Sequence, residues 1–382
     1  MQSGISLIDR PLFSKAAARE IQNLNVSDKC ELLKAFWPNL EILPDEFSEE
    51  DYSSFFRYIG RSLQSMHSHE SEFACQNFES LFNIVAKLRD NRLLKQKELI
   101  ELLEKDFLNT SSSAVSRSIE LGIRLWLCFN VYTPNGLAIG ASNPRDSRVE
   151  WSVDKSLEQV IVSQFIDSSQ PTTVSKFQID DDFTLSNLKR ICRLHIRWTN
   201  NLKDHLRLEG RRGQRSLSVY HHKILLVNHR DAPDPVIPKD VLHEAIRTLD
   251  LLLPKGDLAT EELLEQSGIS MCGPYELGCN DLAEYKYWGD NLAQLLELYN
   301  GPPESLFQTF LDTRNLGQWA TLWIAIFGIF ILTLLFGILA TVYSIRQYRV
   351  AVDSYEIAVK SFELSLAVAC QQKTAPLPGF CD

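Results

Sequence analysis

The longest apolar pattern in the chain lies near its end. From Asn315 to Ile345 no residue is charged, and Trp319–Tyr343 reads WATLWIAIFGIFILTLLFGILATVY, apolar on every helical face. Roughly 20 such residues cross the hydrocarbon core of a bilayer as a helix. Trp319 and Trp323 near one end and Tyr343 at the other carry rings that favour the headgroup level. A transmembrane helix is therefore predicted over 318–344. Within it Thr333, Gly337 and Thr341 are spaced by four, a small-residue face that lets two helices approach; Gly328 also falls in the span. The span holds no ionisable residue, which argues against a proton relay or a transport path.

The pattern changes after the span without stopping. Ile345, Tyr348, Val352, Tyr355, Val359, Phe362, Leu366 and Ala369 alternate at three and four residues, predicting an amphipathic helical tail over 345–382. Such a seam suits a second helix, and it also suits packing on the head or on a membrane surface. Pro376 and Pro378 end the pattern.

Before the span, helical periodicity dominates. Residues 11–37 read as two short helices, with Pro11 in a first turn and Ser27-Asp28 as a cap. The stretch 48–132 reads as four or five helices, with Phe55, Ile59 and Leu63 on one stripe and Phe78, Leu81, Ile84, Val85 and Leu88 on another. Ala114–Val131 is apolar all round in its second half and is expected at the centre of the core. Residues 133–150 read as a loop and Leu157–Phe165 as a short helix. A mixed order follows: helix Thr184–Ile191, strand His195–Thr199, helix Asn200–Leu208, a Gly/Arg turn, and strand Ser216–His221. That is the order of a winged helix. Asp231–Pro238 reads as a linker, followed by helices over Val241–Leu253, Glu261–Gln266 and Leu282–Tyr299. The expected organisation is thus 1–145 helical, 146–230 mixed and 231–317 helical, then span and tail. The fold class is mainly α: a helical head with a small winged-helix-like β element, one C-terminal transmembrane helix and a helical tail.

Charge sharpens the picture in one place. The chain carries −10 overall, yet Lys189–Lys223 holds ten Lys/Arg against Asp204 and Glu209, a local +8 that leaves −18 elsewhere. Arg207, Arg211, Arg212 and Arg215 in the wing-like turn are candidate interaction residues, as are Val352, Val359, Phe362 and Leu366 in the tail. Nucleic acid is disfavoured by the overall charge. Acidic lipid, a protein partner or the chain's own Asp180–Asp182 fits the basic loop better. Glu98–Phe107 followed by Ser113–Leu127 mimics a helix-turn-helix, but its second helix is too apolar to read bases.

Catalytic chemistry finds little support. There is no phosphate-binding glycine loop, and Gly268–Gly273 has one residue too many for a nucleophile elbow. His195, His205, His221, His222 and His229 gather, but His221 and His222, adjacent on a strand, are expected on opposite faces, which breaks a shared metal site. No cofactor is expected. The eight cysteines are scattered, which fits a reduced, cytosolic head. Positive-inside counting (Arg314 against Arg346, Arg349 and Lys360) favours a cytosolic tail, whereas an N-terminus without a secretory signal favours a cytosolic head. The second argument is preferred. In a lumenal tail Cys370 and Cys381 would be placed to pair.

Several stretches together resemble a broad group of filamentous-fungal membrane proteins: IELGIRLWLCFNV (119–131), FTLSNLKRICRLHIRWTNNLKDHLRL (183–208) followed by SLSVYHH, VLHEAIRTLDLLLP (241–254), and residues 312–347. The resemblance covers most of 110–382 and is most specific around Trp198–Leu202 and at the span. It implies a helical head with a C-terminal membrane segment, and no activity. The expected function is a non-enzymatic, single-pass membrane-anchored interaction or scaffold protein. Its partners would be the bilayer, a second copy through span and tail, and an unidentified protein. The alternative is a membrane-tethered regulatory or nucleic-acid-binding module using 184–221.

Overall fold

The computed structural model describes residues 6–108, 110–133, 145–165, 178–211, 213–276, 278–301 and 316–371. Contacts divide the chain into two units, Met1–Leu311 and Asp312–Asp382. The molecule is mainly helical, with two small sheets and one long apolar helix at its C-terminal end.

The first unit begins with α1 (Ala17–Gln22), α2 (Val26–Phe36) and α3 (Glu49–Met66). The cap of α2 is Asn25, whose side chain accepts the Asp28 N–H at 2.7 Å, two residues before the expected cap. Pro11 lies outside α1 and bridges to Asn77 instead of opening a helix. α1 packs on α3 at Gly60, where a Cβ would lie 2.8 Å from the Ala18 Cα, so the close approach depends on glycine.

α4 (Phe78–Asp90), α5 (Gln96–Glu104) and α6 (Ser112–Leu127) follow. The two apolar stripes are buried as their spacing predicts. α6 starts on Ser111, whose side chain accepts the Ala114 N–H, and stops where Cys128 turns left-handed at φ 55°. Its second half is buried on all sides, as expected of a central helix. The one carboxylate there, Glu120, is satisfied by the N–H and hydroxyl of Thr133, each at 2.6 Å.

Two-residue strands β1 (Val131–Tyr132) and β2 (Val149–Glu150) pair in parallel, and α7 (Leu157–Val162) and α8 (Leu185–Ile191) lead into the second sheet. There β3 (His195–Thr199) and β4 (Leu208–Arg211) flank β5 (Gln214–Tyr220), parallel and antiparallel to it respectively. The helix expected over 200–208 does not form. Only a single 3₁₀ turn spans Leu202–Asp204, and Leu206 is left-handed at φ 57°. Tertiary bonds override the local helical preference here. His205 bonds Thr248 at 2.9 Å and accepts the Tyr220 N–H, and Leu206 donates its N–H to Ser218. A winged helix would place its recognition helix in this segment.

The head continues through α9 (Lys223–Asp231), unanticipated in the sequence, α10 (Lys239–Leu252), α11 (Leu258–Ser267) and α12 (Gly289–Asn300). Its buried apolar residues form one cluster reaching from Leu7 to Tyr299. The second unit contains α13, Leu316–Gln371, 56 residues long and therefore about 84 Å at 1.5 Å per residue. As far as Gln371, span and tail are a single unbroken helix.

Candidate functional site

α13 concentrates the features that point to function. Among the described residues it is the one helix long and apolar enough to cross a membrane, and none of its apolar window is buried. Ile324, Ile329 and Phe330 are each more than 60% exposed. Apolar patches on soluble monomers rarely exceed a few hundred Å², so a surface of this extent requires a cover.

The hydroxyls along it are already spent. Thr321, Thr333 and Thr341 each donate to the carbonyl four residues back, at 2.7, 2.8 and 2.8 Å. The Thr333–Gly337–Thr341 face therefore carries no unsatisfied donor, and a Cβ at Gly328 or Gly337 would meet nothing within 4 Å. At the other end of the span, Trp319 and Trp323 pack edge to face at 6.1 Å and Trp323 stacks on Phe327 at 5.6 Å. Tyr343 is exposed.

Along the tail, Val352, Val359 and Phe362 are exposed and Leu366 is half-buried. A second ridge escaped the sequence reading. Val350, Ile357 and Leu364, each 67–68% exposed, recur every seven residues. At 100° per residue they lie across the helix from the first seam. The signal was present as a heptad spacing, hidden by the charged residue that precedes each member, Arg349, Glu356 and Glu363.

The basic strands do not form an open cationic face. Arg207 turns inward, pairing with Asp204 at 2.5 Å and Glu209 at 2.9 Å and donating to Ser147 and to the Arg145 carbonyl. Arg197 donates twice to Ser218, and Asp146 and Glu209 each lie 3.8 Å from its guanidinium. Arg211 is exposed, Arg215 is half-buried, and Arg212 lies outside the described residues. The ten local cations are thus partly answered by Asp204 and Glu209 within the stretch and by Asp146 brought in from outside it.

Of the five histidines gathered in the sequence, His205, His222 and His229 are buried in the core, His221 is half-buried and His195 is exposed. Burial lowers His205 to about 3 and His221 and His229 to about 4, and it lowers His222 well below its ordinary value, which favours the neutral imidazole in all four. His221 and His222 are not on opposite faces, because β5 ends at Tyr220 and their ring centroids lie 4.0 Å apart. His221 meets the Thr199 carbonyl and His222 the Asn200 side chain. Among the described residues no group of His, Cys, Asp or Glu is arranged to hold a metal ion.

No family model, curated protein or solved structure matches the chain.

Proposed function

We propose that the chain is a non-enzymatic, single-pass membrane-anchored interaction or scaffold protein, with its head in the cytosol. The observation that carries this reading is the uncharged run Asn315–Ile345 on a helix whose apolar window is not buried among the described residues. A bilayer supplies a cover for that window, and the threonine hydroxyls bonded to their own helix suit a solvent without water.

Cysteine chemistry supports the orientation. Cys30, Cys75, Cys128, Cys272 and Cys279 in the head are free, whereas Cys370 on the tail is disulfide-bonded. Free thiols suit the reducing side of a membrane and a disulfide the oxidising side. The tail is the interaction element of this reading. Because α13 is unbroken from the span, about 39 Å of helix follows Ile345, which favours a tail that projects from the bilayer over one that lies on it. That leaves its seam to a second helix.

Alkaline carbonate extraction tests the anchor. The full-length protein is expected in the membrane pellet and a variant lacking Trp319–Tyr343 in the supernatant. Full-length protein in the supernatant overturns the reading.

A further inference from the structure

We propose that one end of the three-stranded sheet is a docking surface for anionic phospholipid, placing that end of the head on the cytosolic leaflet. The proposal rests on the reading of α13 as an anchor with the head in the cytosol.

The structure sorts the ten cations of Lys189–Lys223 into two sets. Four are bound inside the head. Arg197 and Arg207 meet Asp146, Asp204 and Glu209, Lys203 donates to Gln164 at 2.7 Å, and Lys223 is buried on Asp250 at 2.5 Å. The register of the sheet gathers most of the others at one end. β3 begins at His195 opposite Ser216, and β4 ends at Arg211 opposite Gln214. α8 stops at Ile191, only three residues before β3. The last turn of α8, the start of β3 and the β4–β5 turn therefore bring Lys189, Arg190, Arg193, Arg211 and Arg215 to the same end. The first four are exposed and Arg215 is half-buried. Arg190 donates to the Asn187 side chain at 2.9 Å, a neutral partner that leaves its charge unanswered. Among the described residues no carboxylate pairs with Lys189, Arg190 or Arg211. Both acidic residues of the stretch, Asp204 and Glu209, are taken up by the first set. Glu297 on α12 offsets one charge and leaves the cluster positive.

Position selects lipid from among the anions. Cys192, between Arg190 and Arg193, donates through Sγ to the Leu298 carbonyl in the last turn of α12 at 3.7 Å. α12 ends at Asn300, and α13 begins at Leu316. Those sixteen residue steps extend at most about 55 Å. The chain thus leaves for the anchor from beside the basic end, which raises the effective concentration of that end at a leaflet. Nucleic acid gains nothing from this tether. The remaining chain carries −18, so an anionic surface attracts this end and repels the rest. Each Lys or Arg at such a surface is worth about fivefold in the docking equilibrium.

Contact quenching on the full-length protein in nanodiscs tests this. A fluorescent amino acid is encoded at position 214, exposed in the β4–β5 turn. Trace lipid with a nitroxide on its headgroup is added to discs of phosphatidylcholine, alone or with about 30% phosphatidylserine to mimic the anionic leaflet. Quenching is expected only in the anionic discs, and about 0.5 M salt is expected to remove it. Arg211→Gln and Arg190→Gln are each expected to lower the ratio of quenched to unquenched protein about fivefold. Because Arg190 lies on α8 and the label on the hairpin, a loss in Arg190→Gln shows the two elements acting as one surface. Lys97→Gln, an exposed cation on α5, is expected to leave the ratio unchanged. Equal quenching in the two discs, quenching that survives both arginine variants, or an equal loss in Lys97→Gln overturns the proposal. Burial of the turn by duplex DNA in neutral discs would assign the surface to nucleic acid and also overturn it. The wild-type comparison needs no variant to fold. Protein that fails to enter the discs at all would overturn the anchor reading, and this proposal with it.

Discussion

The carboxylate of Glu244, in the middle of α10, accepts the backbone N–H of Trp288 at 2.7 Å. It also takes the N–H groups of Tyr287 and Lys286, both at 2.8 Å. One buried side chain thereby satisfies three donors at the entry of α12, which has no side-chain cap of its own. Trp288 and Asn291 in turn donate to the carbonyls of His205 and Leu206. Glu244 thus secures the strut that holds the left-handed turn before β4.

Glu244→Ala removes the shared acceptor of three N–H groups, of which that of Trp288 is buried and those of Tyr287 and Lys286 are part-buried, and leaving one buried group unsatisfied costs about 1–3 kcal/mol. A loss of about 1–3 kcal/mol in urea unfolding is expected, with Glu244→Gln losing less because one carbonyl oxygen survives. A change within about 0.5 kcal/mol for the alanine variant would show the three bonds to be replaceable by water.

The same region shows how far the sequence is legible. Stripes such as Phe78–Leu88 could be read because their burial follows a helical period that needs only neighbours three and four residues away. The 200–208 helix could not be read correctly. Its fate depends on Thr248, Tyr220 and Trp288, distant in sequence, which satisfy the His205 ring and the His205 carbonyl more fully than a helix would. α9 was invisible for a related reason. His222–Asp231 mixes His, Lys, Asn and Arg with its apolar residues, and only the fold buries Lys223 against Asp250 at 2.5 Å. The arginine run read as a candidate interaction patch because nothing in linear order places Asp146 beside Arg197.

Asp146 gives that cluster a pH signature. Burial, with the nearby Asp204 charge adding to it, pushes its carboxyl up to about 6, against the opposing pull of Arg197 and Arg207; Glu209 adds a further raising charge. The folded state therefore binds this proton more tightly than the unfolded chain, whose carboxyl titrates at about 3.9. The stabilising contribution is complete below about pH 4 and is lost as pH rises to about 6. Glu120, Glu244 and Asp250 shift in the same direction, so the readout is a difference. Melting curves across this window are expected to fall less steeply with pH in Asp146→Asn than in the wild type. Parallel curves would mean that Asp146 titrates alike in both states.

Orientation in the membrane can be read from glycosylation. Asn25-Val26-Ser27 and Asn109-Thr110-Ser111 are sequons that function only in the lumen. Asn25 is exposed and its side-chain oxygen caps α2, so its site is physically open. With the head in the cytosol, the full-length protein from a eukaryotic host is expected to show no endoglycosidase-sensitive shift. A shift that disappears in Asn25→Gln/Asn109→Gln would place the head in the lumen.

The proposed self-association can be tested on α13 as one continuous helix. Two copies anchored in one membrane with the same orientation run parallel, so any face they share in the bilayer continues into the tail. Within the bilayer, Thr333, Gly337 and Thr341 form a face whose hydroxyls are bonded internally, leaving methyl groups and a bare backbone at Gly337. Close backbone approach at such a glycine rests on dispersion and packing, since lipid supplies no hydrophobic drive. Beyond the bilayer, Val352, Val359, Phe362 and Leu366 meet water, where the hydrophobic drive does apply. The two halves should respond separately. Gly337→Ile is expected to force the span helices apart while tails still crosslink. Phe362→Glu/Leu366→Glu is expected to separate the tails through burial of unpaired charge while the spans remain associated. Only the combined variant should be monomeric by crosslinking in nanodiscs across a range of protein-to-lipid ratios. A wild type that is monomeric at every ratio would reject the pairing and assign the tail seam to a different protein.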